Sequence, residues 1–367
     1  MKDKTRLLVP LFEQFIRDSF KGRRLKADGS RIKPQTVNNY VYVLRYLREY
    51  ENLQGEPLRI KVLKTGNQRL FDAEKKYWRK FYERFTQFLY HKKKCFDNYV
   101  GNVIKNIRIF FNWMKLEKGI QTGDFYKGFY VCREDVPIVT LQPMQLQFLL
   151  NDVAFHERLP KPLQKTKSIF VFGCTVALRA SDLFAIRFTD IETVGIAHYL
   201  AVKTIKTGTI VRVKLPAYAM RIVEHFRLTA KRRKQVFPPI PRNRFNHQLK
   251  EICEAAGWVQ ALGKSRARNG VAIEMKKCID DGWAVDESAG CRNSSGSERY
   301  RFCDLVSSHT MRRTAITTML MMGMKEHVVK QISGHANDSK SFYRYVNLVQ
   351  SYLDNEMDEV FGRLVEG

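Results

Sequence analysis

Four stretches of this 367-residue chain hold residues whose types and spacing suit phosphate chemistry. The first, CTVALRASDLFAIRFTDIE, contains Arg179 and Asp182. Their three-residue separation puts both on one helical face, where the carboxylate can orient the guanidinium. The second, TIKTGTIVRVKLP, places Lys206 in a β-turn, from which an ammonium can reach a phosphate or a leaving oxygen. Lys203 is its close competitor. The third, SSHTMRRTAITTML, reads as a helix with Ser308 as N-cap, so that His309 and Arg312 share a face of the first turn. A helix N-terminus favours anions, and it favours neutral imidazole over imidazolium, which suits a base. Arg313 is expected to point elsewhere, and Gly323 to end the helix. In the fourth, QISGHANDSKSFYRYVN, Gly334 ends a helix and His335 begins the next turn. Tyr343 and Tyr345 then lie on a new helix. Each residue alone has an ordinary reading: a capping arginine, a solvated hairpin lysine, a core tyrosine. As a set they supply cations for a phosphoryl group and a base.

Composition narrows the partner. The chain has 64 Lys+Arg against 37 Asp+Glu, a formal charge of +27. Such an excess points to a polyanion, most simply nucleic acid. The cations are spread widely, as at Lys92, Lys93 and Lys94 and at Lys231, Arg232, Arg233 and Lys234. A membrane-targeting protein would concentrate them beside an apolar anchor. The N-terminus, MKDKTRLLVPLFEQF, has no sustained apolar region or small-residue cleavage site, so no secretory signal is expected. No stretch approaches the roughly 20 apolar residues of a membrane helix. The seven cysteines are scattered and odd in number, which fits a reducing cytoplasm. Cys278, Cys291 and Cys303 lie near His309 in sequence but form no CxxC pair, so no metal is expected.

These residues need elements to position them. Apolar spacing predicts helices over 11–18, 36–50, 73–90 and 97–118, with Thr36 as the N-cap after Pro34. The expected buried stripes are Val37, Tyr40, Val41, Leu44 and Leu47; Tyr77, Trp78, Phe81, Phe85 and Phe88; and Val103, Ile107, Phe110, Phe111 and Met114. Residues 119–139 break the pattern with glycines and Pro137 and read as a linker. A helix follows near 140, then one from 166 to 177 that continues through ASDLFAI. The stretch 196–216 alternates like short strands around a turn at Lys206, Thr207 and Gly208. Helices resume at 217–226 and 246–256. Residues 257–300 are irregular, with GVAIEMKK and DGWAV as strand candidates. Helices run from 309 to near 360. There, Leu353, Met357, Val360 and Phe361 form an apolar stripe on an otherwise acidic helix, suited to packing in cis or to docking on a second protomer.

The motifs ALRASDL, KTG, HTMRR, SGH and the terminal tyrosine, in that order, resemble the tyrosine recombinase (phage integrase) family. SKSFYRYV is similar to integrases of Bacteroides-type mobile elements and phages. The resemblance covers about residues 140–350. It implies a mainly α fold with a small β-sheet: a helical-bundle core-binding domain over 1–120, a linker over 121–139, an α+β catalytic domain over 140–350 and a tail over 351–367. It implies Arg179 and Arg312 as catalytic arginines, Lys206 as the hairpin lysine, and His309 and His335 as the two histidines. The family's nucleophile usually follows the last histidine by nine residues, a position that here holds Arg344 between two tyrosines. A pattern like SFxxY matches Ser341, Phe342 and Tyr345, which favours Tyr345 and leaves Tyr343 as the alternative. By the same resemblance the chain is expected to start at the core-binding domain, without the arm-binding domain of larger relatives.

The activity so implied is cleavage and rejoining of double-stranded DNA through a 3′-phosphotyrosine, without metal or cofactor. It would be carried out by a homotetramer on paired sites, with DNA-bending helper proteins, in a bacterial cytoplasm at the nucleoid. Integration or excision of a mobile element is the expected outcome. The competing readings are a topoisomerase IB-like enzyme, which would nick and religate without pairing sites, and an inactive DNA-binding protein with the same fold.

Overall fold

Apolar residues at helical spacing build the first third of the chain. Strand β1 (Thr5–Leu7) runs into α1 (Leu8–Phe20), followed by α2 (Pro34–Gln54), β2 (Arg59–Lys61), α3 (Gln68–Gln87) and α4 (Asp97–Glu117). β1 and β2 pair antiparallel, with Arg6 opposite Ile60. This computed structural model describes residues 5–63, 68–278, 297–336, 338–350, 354 and 357. Helix α2 starts at Pro34 rather than after Thr36, because proline lacks an N–H and its fixed φ suits the first helical position. Val37, Tyr40, Leu44 and Leu47 are buried as their spacing predicts, but Val41 is exposed, and Val43, Tyr46 and Tyr50 are buried too. From α3, Trp78, Phe81 and Phe85 enter the core, Tyr77 packs at its edge, and the chain loosens into a π-helical turn over Phe88–Lys92. The expected α4 stripe is fully inward. Trp78 meets Phe111 edge-to-face at 4.9 Å, so the aromatic stripes form a core.

The segment expected to be a linker differs. Ile120, Tyr126 and Phe129 are buried in this same core, around a 3-10 turn at Phe125–Gly128. Tyr126 stacks on Phe111 at 5.1 Å and donates its hydroxyl to Asn112 Oδ1 at 2.6 Å. The glycines break the helical period, but the aromatic residues between them still bury.

A second core forms from α5 (Pro143–Asn151), α6 (Val153–Arg158), α7 (Lys161–Val176), α8 (Ala180–Ala185), β3 (Ile191–Val194), β4 (Ala197–Lys203), β5 (Ile210–Leu215), α9 (Ala217–Leu228) and α10 (Arg242–Ala255). The three strands form an antiparallel sheet in the order β3-β4-β5. Alternation along β5 turns Val211, Val213 and Leu215 inward. Next come β6 (Lys264–Arg268), β7 (Val271–Cys278) and β8 (Ser297–Arg299), in the sheet order β6-β7-β8. GVAIEMKK is therefore a strand; DGWAV and Cys291 lie outside the described residues. Finally come α11 (Phe302–Leu305), α12 (Ser308–Met321), α13 (Glu326–Ser333) and α14 (Lys340–Val346). The terminal apolar stripe lies outside the described residues, apart from Met357, which is exposed.

Two compact units result: Met1–Val136 with Lys264–Glu298, and Pro137–Gly263 with Arg299–Gly367. The β6–β7 hairpin thus returns to the first unit. At its tip, Asn269 and Gly270 have left-handed backbones, and their N–H groups donate to the Asp97 carboxylate at 2.7 and 3.0 Å. Glu134 receives Arg266 Nε at 2.6 Å, and the Arg268 guanidinium lies over Phe96. The chain is mainly helical with small antiparallel sheets, as expected. Among the described residues no helix is long and apolar enough to cross a membrane. Cys95, Cys132, Cys174 and Cys253 are free thiols, and Cys303 is buried.

Candidate active site

The second unit gathers the residues singled out in the sequence. The helix expected to continue through ASDLFAI instead breaks at Ala177, whose φ of 55° lies in the left-handed region. A non-glycine residue there costs about 1–2 kcal/mol. The break is held by tertiary contact: Arg312 Nη1 donates to the Ala177 carbonyl at 2.9 Å. Leu178 is then buried, and Arg179 stands at the N-cap position of α8. Its Nη1 is buried and finds no hydrogen-bond partner among the described residues.

Asp182 does not orient Arg179 as expected. Its Oδ1 accepts the backbone N–H of Ile205 at 2.8 Å, while its Oδ2 is buried without a partner among the described residues. That bond anchors the β4–β5 turn. Within the turn, buried Thr204 Oγ1 accepts the Thr209 N–H at 3.1 Å and lies 2.7 Å from Thr207 Oγ1. Gly208, with φ of 70°, donates its N–H to the Thr204 carbonyl. Lys206 projects from this braced turn, whereas Lys203 lies exposed at the end of β4.

Helix α12 starts one residue earlier than expected. Ser307 is the N-cap, its N–H donating to Thr310 Oγ1 at 3.0 Å. Ser308 lies inside the helix and donates its N–H to Asn246 Oδ1 of α10 at 2.8 Å. The reason is the second hydroxyl: Thr310 completes a capping pair only with Ser307. His309 is exposed, and Arg312, one turn on, is buried at 5% relative exposure. Gly173 on α7 allows this approach, since a Cβ there would lie 2.4 Å from Met311 Sδ.

Arg179, Lys206 and His309 line one cavity of about 450 Å³, with Phe184, Pro239, Ile240 and Phe245 among its apolar walls. Arg242 lines it too. Sequence reading missed Arg242 by starting α10 at 246; the signal was Pro241, which makes Arg242 the first helical residue. Partial withdrawal from water, then the charges of Arg242, Arg313, Arg312 and Lys206, lower the His309 pKa, so its imidazole is neutral near pH 7. Arg313 is partly buried, its pKa is lowered by burial, and it lies near Tyr345.

Gly334 adopts the left-handed conformation that ends α13, and the His335 N–H closes the motif on the Lys330 carbonyl at 2.9 Å. His335 then faces Arg312: Nη2 lies 3.1 Å from Nε2 and 3.2 Å from Nδ1. Ser333 Oγ lies 2.8 Å from Nδ1. Burial, then Arg312 and Arg179, pull the His335 pKa down to about 3. The two tyrosines diverge. The Tyr345 ring lies 6.0 Å from that of His335, and its phenol adjoins the Arg312 guanidinium. Tyr343 is exposed and covers Lys330, with the ammonium 4.7 Å from its ring centroid.

Arg312 has its own pKa drawn down to about 10, first by burial and next by Arg179. Two guanidiniums therefore repel within one site, with the Asp182 carboxylate as a partial counterweight. Among the described residues no group of three His, Cys, Asp or Glu side chains is placed to hold a metal ion.

No family model and no curated protein matches the chain. Solved structures do. The integrase of the Tn1549 transposon, in complex with transposon right end DNA, superposes with a TM-score of 0.56 at 13% identity, over 96% of this chain and 99% of that one. A lambda integrase dimer bound to a COC′ core site gives 0.55 at 13%, over 94% and 78%. The XerH site-specific recombinase on a palindromic difH substrate, a post-cleavage complex, gives 0.54 at 11%, over 95% of both chains. The chain shares the fold of these integrases and recombinases, a helical domain followed by an α+β domain.

Proposed function

We propose that the protein is a tyrosine-type site-specific recombinase that cuts and rejoins double-stranded DNA. The observation that carries this reading is the Arg179–Arg312 pair: two guanidiniums brought together, with a buried donor that none of the described residues uses, next to a tyrosine. Like charges assembled in this way are stabilised by an anion, and a phosphodiester is the anion that a +27 chain meets on DNA. The fold shared with DNA-bound integrases supports the same reading.

In this mechanism Tyr345 Oη attacks the scissile phosphorus in line. The bond to the 5′-oxygen breaks, and a 3′-phosphotyrosine forms. Arg179 and Arg312 hold the nonbridging oxygens and stabilise the added charge of the transition state. Lys206 gives a proton to the leaving 5′-oxygen. Neutral His309 accepts the tyrosine proton. His335 supports Arg312 beside the phosphate. The phosphotyrosine keeps the bond energy, so the reverse attack by a 5′-hydroxyl rejoins the strand.

The finer reading is a homotetramer acting on paired sites, aided by DNA-bending proteins, that integrates or excises a mobile element. A plasmid carrying two copies of the DNA junction flanking the gene tests it. Strand exchange between the copies, with a protein–DNA adduct on denaturing gels, is expected. Relaxation without exchange would instead favour a topoisomerase-like enzyme, and DNA binding without an adduct an inactive binding protein.

A further inference from the structure

Ser333 is the last residue of α13, and its side chain is fully buried. Its Oγ lies 2.6 Å from the Val329 carbonyl oxygen and 2.8 Å from His335 Nδ1. A serine hydroxyl has one proton to give. A carbonyl oxygen can only accept, so that proton goes to Val329. What Oγ presents to His335 is a lone pair, which makes Nδ1 the donor. A neutral imidazole protonated on Nδ1 has a bare Nε2. Arg312 Nη2 is nearly equidistant from both ring nitrogens, and as a donor it can use only the bare one.

The geometry points to Ser333 as a positioning residue that fixes His335 in the Nδ1–H tautomer, so that Nε2 accepts from Arg312 and sets the guanidinium plane. Arg312 is then held at two corners, by the Ala177 carbonyl on Nη1 and by His335 on Nη2. With the hydroxyl gone, the Nε2–H tautomer becomes accessible and turns a donor toward a donor. In the unliganded protein, therefore, His335 Nε2 has no proton to offer a phosphate. The tautomer stands on these distances alone, and only its effect on rate rests on the recombinase reading.

Long-range ¹H–¹⁵N spectra of histidine-labelled protein near pH 7 test it, with His335 identified by the signal lost in His335→Gln. The wild-type ring is expected to show a protonated Nδ1 and a bare Nε2. Ser333→Ala should populate the Nε2–H form, and Ser333→Thr, which keeps the hydroxyl, should retain the wild-type pattern. Single-turnover DNA cleavage should fall roughly ten- to a hundredfold in Ser333→Ala, with DNA affinity kept, and recover in Ser333→Thr. An Nε2–H tautomer in the wild type, or an unchanged Nδ1–H pattern in Ser333→Ala, would overturn the assignment. Absence of any cleavage by the wild type would remove the recombinase reading but leave the tautomer decided by the spectra.

Discussion

Asp182 accepts the backbone N–H of Ile205 at 2.8 Å, so the residue one helical turn beyond Arg179 anchors the turn that carries Lys206. The two cationic groups are thereby held in one frame, although their segments are separate in sequence. A charge-assisted hydrogen bond of this kind contributes about 1.5–3 kcal/mol. Asp182→Ala should lose that much in chemical denaturation and slow cleavage more than it weakens DNA binding. Asp182→Asn, which keeps an acceptor, should lose less. Wild-type stability in Asp182→Ala would show that the turn stands without this anchor.

Arg179 and Arg312 repel in the unliganded protein, and Arg179 Nη1 has no partner among the described residues. Arg179→Met should therefore leave thermal stability unchanged or raise it by about 1 kcal/mol, while cleavage is abolished. Sulfate should stabilise the wild type more than the variant. A variant clearly less stable than the wild type in sulfate-free buffer would mean that Arg179 is a structural residue.

Arg242 leads the charges that, with burial, lower the His309 pKa. Removing it in Arg242→Gln should raise that pKa. Because the mechanism needs neutral His309, the acid limb of the cleavage–pH profile should move to higher pH, in step with the NMR titration of the His309 ring. A limb that stays in place while the titration moves would assign the proton transfer to another group.

The contact between Gly173 and Met311 sets the approach of α12 to α7, one residue from Arg312. Gly173→Ala introduces a methyl where Met311 Sδ would lie at 2.4 Å. Overpacking of this kind costs about 1–3 kcal/mol, to be read as a lowered denaturation midpoint with an unchanged slope. No change would show that Met311 can move aside without disturbing the helix pair.

Local signals made part of this legible beforehand. The turn at Lys206 has Gly208 at its left-handed position, and Gly334 marks the end of α13; both are properties of single residues. The break after α7 was not legible, because an alanine occupies the left-handed position and what holds it, Arg312, lies far along the chain. Asp182 was assigned to its sequence neighbour Arg179, whereas its partner is the Ile205 backbone. The span 119–139 reads as a linker because its glycines hide the burial of Tyr126 and Phe129. The return of the β6–β7 hairpin to the first unit rests on Asp97 and Glu134, carboxylates that carry no periodic signal.

The nucleophile is where the account is most exposed. Tyr345 adjoins Arg312 and faces His335, while Tyr343 is turned onto Lys330. The direct measurement traps the protein on a suicide substrate nicked beside the cleavage site and maps the DNA-linked peptide by mass spectrometry. The adduct should sit on Tyr345, disappear in Tyr345→Phe and persist in Tyr343→Phe. A covalent adduct formed by Tyr345→Phe, or one mapped to any other residue of the wild type, would contradict the account.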